Sequence, residues 1–183
     1  MPFWDTHLTK RRRNFSFGQK NDSLNITDQN NTESGIGSEE GEQVLQGEFQ
    51  HGLDAKGRLI LPAKIREELG TRFMLTKGMD GCLFIFGPAD WEDFTKKINA
   101  LPTSSKEARK LKRYFIGSSV ECETDKQGRF LIPPVLRTFA EIEKDVTILG
   151  LSERVELWST QKYEAYQNEE DDSIEEIAEG LVF

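Results

Sequence analysis

The 183-residue chain carries 24 Lys/Arg against 32 Asp/Glu, a formal net charge of −8, and its mean hydropathy is −0.59. No stretch approaches the ~20 consecutive apolar residues of a membrane span, and two cysteines without metal-ligand spacing make no disulfide framework. The acidity is unevenly placed: residues 1–46 sum to −2, 47–167 to +1 and 168–183 to −7, so the near-neutral middle leaves room for local basic patches.

Residues 1–43 are rich in Asn, Ser, Asp, Gly and Thr, with NDSLNITDQNNTESGIGSEEGE at the centre. Such a stretch buries too little apolar surface to offset the entropy of ordering it, which predicts a disordered arm. Its Lys10–Arg13 run, near Phe15 and Phe17, reads either as a phosphate contact or as a solvated run. No apolar region follows it, so it is not a secretory signal, and the expectation is a soluble, intracellular protein.

From Val44 the pattern changes. LQGEFQHGL and GRLILP read as two strands around a tight turn. Pro62 fits the first position of a short helix, Ala63–Leu69, which Gly70 ends. RFMLTKG and GCLFIFG read as strands. PADWEDFTKKINAL and SSKEARKLKRYFIG read as helices, with Trp91, Phe94, Ile98 and Leu101 on one stripe and Ala108, Leu111 and Phe115 on the other.

The series then restarts. SSVECET and GRFLIP read as a hairpin, PVLRTFA as a short helix, and DVTILG with RVELWS as strands. LDAKGRLILPAKIR and TDKQGRFLIPPVLR match at Asp54/Asp125, Gly57/Gly128, Arg58/Arg129, Pro62/Pro133 and Arg66/Arg137, always 71 residues apart. LFIFGPADWEDF continues the match to VELWSTQKYEAY, pairing Phe86 with Trp158, Trp91 with Tyr163 and Phe94 with Tyr166. A unit of about 40 residues holds no stable core alone, which predicts two halves completing each other in a pseudo-twofold barrel. The acidic end, with Ile174, Ile177 and Leu181 on one stripe, reads as a loosely docked helix.

Turn chemistry accounts for Asp54, Gly57, Asp125 and Gly128: the Asp accepts backbone N–H groups and the Gly takes positive φ. It does not account for Arg58 and Arg129, which persist while the turn centre drifts from Ala55-Lys56 to Lys126-Gln127. A guanidinium fork binds guanine edges or phosphates bidentately. The structural alternative is an Asp–Arg ion pair four residues apart.

GEFQHGLDAKGRLILPAKIREELG, GCLFIF, SSVECETDKQGRFLIPPVLR and VELW resemble the MraZ family of bacterial transcriptional regulators, over about Gly47 to Tyr166. The resemblance implies an α+β, mainly β fold: a double-split β-barrel from two swapped-hairpin AbrB-like (SpoVT-AbrB) repeats, with flanking helices. The implied division is an arm at 1–43, repeats at 48–90 and 119–162, connecting helices at 91–118 and an acidic helix or tail at 163–183. The arm departs from the family pattern. The resemblance also implies ring-like homo-oligomers on double-stranded DNA with short direct repeats. By the same resemblance those repeats are expected upstream of the division and cell-wall gene cluster, including the chain's own gene, and the expected location is cytoplasm and nucleoid. The D-x-x-x-R motif falls on Asp54–Arg58 and Asp125–Arg129. Arg58 and Arg129 are then the candidate base readers, and Lys56 and Lys126 the phosphate contacts. Asp54, Asp125, Gly57 and Gly128 hold and shape the turns.

An enzyme is not expected. A triad of His51, Asp54 and Cys82 has no counterpart in the second half, where Cys122 and Arg154 stand in place of His51 and Cys82. No phosphate loop and no zinc spacing occur, so no catalytic residue, metal, cofactor, small-molecule substrate or membrane partner is expected. The alternative to DNA binding is a protein-interaction or scaffold module of the same fold type, since fold does not fix function.

Overall fold

The computed structural model describes residues 45–168 and 174–181; the arm at 1–43, with its Lys10–Arg13 run, lies outside the described residues. The first half runs β1 (Leu45–Gly52), β2 (Arg58–Ile60), α1 (Ala63–Leu69), β3 (Arg72–Lys77) and β4 (Leu83–Phe86). Two helices follow, α2 (Pro88–Asn99) and α3 (Lys106–Phe115). The second half repeats the series as β5 (Val120–Glu123), β6 (Arg129–Leu131), α4 (Pro134–Phe139), β7 (Asp145–Ser152) and β8 (Val155–Ser159). It closes with α5 (Thr160–Gln167) and α6 (Ile174–Gly180).

The strands form an antiparallel six-stranded sheet, ordered β1-β7-β8-β4-β3-β5, and a separate two-stranded ladder of β2 with β6. Exchanging each strand for its counterpart in the other half reverses the sheet order and returns the same sheet, so the halves are related by a pseudo-twofold axis. The architecture is α+β and mostly antiparallel. Among the described residues no ladder joins β1 to β5, so the larger sheet is open at both edges.

The strand pairing corrects one expectation. β1 and β2 flank a single turn, as do β5 and β6, yet neither couple forms a hairpin ladder. β1 pairs with β7 over eight residues, β5 with β3, and β2 with β6. Only one hairpin-type bond survives at each turn: Asp54 N–H to the Arg58 carbonyl at 2.9 Å, and Asp125 N–H to that of Arg129 at 2.8 Å. The reason is burial. A local hairpin would leave its apolar face bare, whereas pairing across the halves covers both.

The main core shows that coverage. Leu59 and Phe130, directly opposite in the ladder, pack with Ile65, Phe73, Ile148 and Leu157, each at most 2% exposed. Phe73 meets Phe130 edge to face with centroids 5.0 Å apart. α1 spans the residues its pattern predicts, burying Ile65 and Leu69 one turn apart. Pro62 lies one position earlier than expected, at the N-cap with ψ 145°, and Gly70 ends the helix at φ 77°.

A second cluster lies under the helices. Phe86 contacts Trp91 and Phe94 at 5.8 and 4.8 Å between centroids, and Trp158 contacts Tyr163 and Tyr166 at 5.6 and 5.2 Å. These are the aromatic pairs matched in sequence, so the repeat extends into how each following helix docks. Among the described residues no helix is long and apolar enough to cross a membrane.

Candidate nucleic-acid interface

Each Asp–Gly–Arg turn is built almost entirely from its own atoms. Gly57 donates its N–H to the Asp54 carbonyl at 2.9 Å. Asp54 Oδ1 accepts the N–H groups of Lys56 and Arg58 at 2.8 and 2.9 Å, while Oδ2 takes Nε and Nη2 of Arg58, both at 2.7 Å. The second turn repeats this bond for bond. Asp125 Oδ1 accepts from Gln127 and Arg129 at 2.9 and 3.0 Å, and Oδ2 takes Arg129 Nε and Nη2 at 2.8 and 2.7 Å.

The ion pair weighed as the structural alternative is therefore present in both turns. It uses Nε and Nη2 and leaves the two N–H groups of Nη1 outside the pair. A carboxylate holding one edge of a guanidinium fixes its plane and leaves the other edge turned away from that carboxylate. The pairing is thus compatible with either role. The arginine side chains are 29% and 27% exposed.

Both carboxyls are pulled down from 3.8 to about 2, first by the Arg side-chain hydrogen bond and then by the Arg backbone N–H. A carboxyl that is more acidic when folded binds fewer protons in the native state between pH about 4 and 2. Its contribution to stability is complete above that window and is lost as pH falls through it. Carboxyl carbon shifts followed by NMR should titrate near 2 for these two residues, and Asp54→Asn with Asp125→Asn should flatten the acid-unfolding curve there. Midpoints near 3.8 would mean that the ion pairs do not persist in solution.

The glycines have a second duty that sequence alone did not reveal. Gly57 and Gly128 sit at φ 75° and 76°, the left-handed region that suits glycine. Each also lies against the helix arginine of the other half. A Cβ on Gly57 would strike Nη1 of Arg137, and one on Gly128 would lie 2.6 Å from Nε of Arg66. The two turns are further tied through the ladder ends, Leu61 N–H to the Gly128 carbonyl at 3.0 Å and Ile132 N–H to that of Gly57 at 3.3 Å. The repeated Arg66 and Arg137 therefore buttress the opposite turn.

The ladder sets what faces outward. Its register pairs Arg58 with Leu131, Leu59 with Phe130 and Ile60 with Arg129. Leu59 and Phe130 point into the core, so the other four share the opposite face. Lys56 and Lys126 are exposed at the turn tips. Ile60 and Leu131, 44% and 53% exposed, share this face although turn chemistry does not point to them. The alternation in GRLILP and GRFLIP is the signal that places them beside the arginines.

Of His51, Asp54 and Cys82, the last two are committed elsewhere. Asp54 is committed to its turn. Cys82 is buried in the aromatic cluster with its thiol donating to the Met79 carbonyl, and burial, Glu156 and Asp80 push the thiol up. Burial and Glu121 push the Cys122 thiol up to about 11. Both cysteines are free and buried, the placement of inert thiols. Among the described residues no group of three His, Cys, Asp or Glu could hold a metal ion.

Comparison with known proteins agrees with the duplication. The family model described as "MraZ protein, putative antitoxin-like" matches twice, at residues 44–114 and 115–182. A protein of Thermoanaerobacter sp. (strain X514) named transcriptional regulator MraZ is 53% identical over 138 residues, covering 75% of this chain and 96% of the relative. Proteins of the same name from Caldanaerobacter subterraneus subsp. tengcongensis and Pelotomaculum thermopropionicum are 51% and 49% identical, covering 75% and 76% of this chain and 96% of each relative. These names are those of regulators and not of enzymes. The chain belongs to the MraZ family.

Proposed function

We propose that this protein is a sequence-specific DNA-binding transcriptional regulator that reads duplex DNA with the outward face of the β2–β6 ladder. The observation that carries the reading is the duplicated Asp–Arg turn, set symmetrically at the two ends of one exposed two-stranded ribbon. A two-stranded ribbon fits the major groove, whose base edges a guanidinium fork can read. Arg58 and Arg129 supply base contacts, Lys56 and Lys126 supply phosphate contacts, and Asp54 and Asp125 aim the arginines.

The ladder and the larger sheet act as the parts of a double-split barrel. A single copy offers two turns, a small footprint, so a ring of copies meeting short direct repeats supplies avidity of roughly 10²–10⁴. The target is the promoter of the division and cell-wall gene cluster, including this protein's own gene, and the place of action is the nucleoid. The acidic segment 168–183 keeps such an assembly soluble.

The test is a titration of duplex from upstream of the protein's own gene at several salt concentrations, with a footprint. Binding should weaken steeply with salt, by a log–log slope of about −0.9 per phosphate neutralised. Lys56→Ala and Lys126→Ala should each make that slope shallower by about 1 per copy engaged, without changing the preferred sequence. A salt-insensitive association, or no protection of the duplex, would instead favour a protein-interaction module.

A further inference from the structure

Two of the four outward side chains of the ladder are apolar, and the fold does not require them to be. Ile60 and Leu131 are 44% and 53% exposed, while Leu59 and Phe130 alone turn inward from the same strands. Strand propensity explains a β-branched isoleucine but not a leucine. They occupy equivalent positions in the two halves, and the register sets Ile60 beside Arg129 and Leu131 beside Arg58. Each apolar residue is therefore the cross-strand neighbour of a guanidinium, about 5 Å away at the backbone.

The charge around them selects the occupant. Asp54 and Asp125 are paired with Arg58 and Arg129, so the exposed Lys56 and Lys126 leave each turn beside the apolar couple with a net charge of +1. Packing this face on its equivalent in a second copy would bring like charges together. A polyanion would not. A surface that sets hydrogen-bond acceptors and apolar groups one base step apart inside a polyanion is the major groove, with guanine O6 and N7 beside the thymine methyl.

We propose that Ile60 and Leu131 are specificity-determining residues that contact thymine methyl groups next to the bases read by Arg129 and Arg58. This rests on the reading of the ladder as the DNA-binding face. The two residues differ in shape, so the two halves of one copy favour similar but unequal steps.

The experiment removes the methyl groups from the DNA. In the duplex from upstream of the protein's own gene, each thymine of the footprint is replaced in turn by deoxyuridine, which lacks only that methyl. Wild type should lose roughly 3- to 5-fold in affinity at particular positions, the worth of about one buried methyl. Ile60→Ala and Leu131→Ala should each lose a similar factor and become indifferent to deoxyuridine at its own set of positions, a non-additive cycle. Thermal melts check folding, and Ile60→Val should retain part of the methyl sensitivity. Binding by wild type that ignores every deoxyuridine would overturn the proposal and leave the DNA-binding reading intact. So would alanine variants that keep full methyl sensitivity, or variants whose only defect is a smaller assembly by light scattering. Failure of wild type to bind any duplex would overturn both.

Discussion

Replacing Arg58 and Arg129 together by alanine should abolish selective binding to the upstream duplex while leaving the protein folded. Each bidentate base contact is worth about 1–3 kcal/mol, or roughly 5- to 150-fold in Kd. The loss is compounded because Asp54 and Asp125, no longer paired, would then face the phosphates as bare carboxylates. Stability should change by less than about 1 kcal/mol, the usual worth of a partly exposed ion pair. Arg58→Lys with Arg129→Lys is the informative companion. It keeps the charge and loses the planar fork, so non-specific binding should persist while discrimination between operator and random duplex falls. Variants that fold normally and still select the operator would remove the arginines from the interface.

Phe130→Ala should act in the opposite sense, on the fold first. Phe130 is 2% exposed, lies against Phe73 at 5.0 Å and faces Leu59 in the ladder. Truncating a buried phenylalanine costs about 3–5 kcal/mol. For a chain of this size that lowers the Tm by roughly 6–20 °C. Leu131→Ala, one residue on but facing outward, should cost less than about 1 kcal/mol. Calorimetry of the two variants checks the alternation directly. Equal melting temperatures would mean that the ladder does not seal the core as described.

Local pattern was readable in the chain, and long-range pairing was not. The Ala63–Leu69 helix follows from a proline before it, a glycine after it and two apolar residues one turn apart. The turns follow from Asp and Gly at fixed spacing. By contrast, the strands on either side of each turn read as ordinary hairpins. Nothing in LQGEFQHG or RLI names β7 or β6 as the partner, because main-chain bonds are the same for any strand. The choice is made by the sum of buried area, which exists only once both halves are folded. Internal repetition signalled a twofold arrangement, and the family resemblance implied swapped hairpins. Residue periodicity alone did not.

The site divides in the same way. Arg58 and Arg129 stood out because turn chemistry had no use for them, although their pairing with Asp54 and Asp125 shows that structure has one. Arg66 and Arg137 repeat at the same spacing, but their place under the opposite turn depends on the pseudo-twofold axis and is invisible to a linear reading. Ile60 and Leu131 were legible through alternation, since a strand with Leu59 inward must carry its neighbours outward. Their apolar character alone hides them, because apolar residues in a strand suggest core.

Position-specific photo-crosslinking locates the DNA on the protein surface. A benzophenone amino acid would replace Lys56, Lys126 or, as a control, Lys110, which is exposed on α3. Each protein would be irradiated with labelled duplex from upstream of its own gene. Crosslinks at Lys56 and Lys126 that exceed those to random duplex, with none at Lys110, are the outcome if the ladder face reads DNA. Crosslinking at Lys110 with silence at both turns would place the DNA on the helices and contradict the reading of the Asp–Arg turns as the recognition surface.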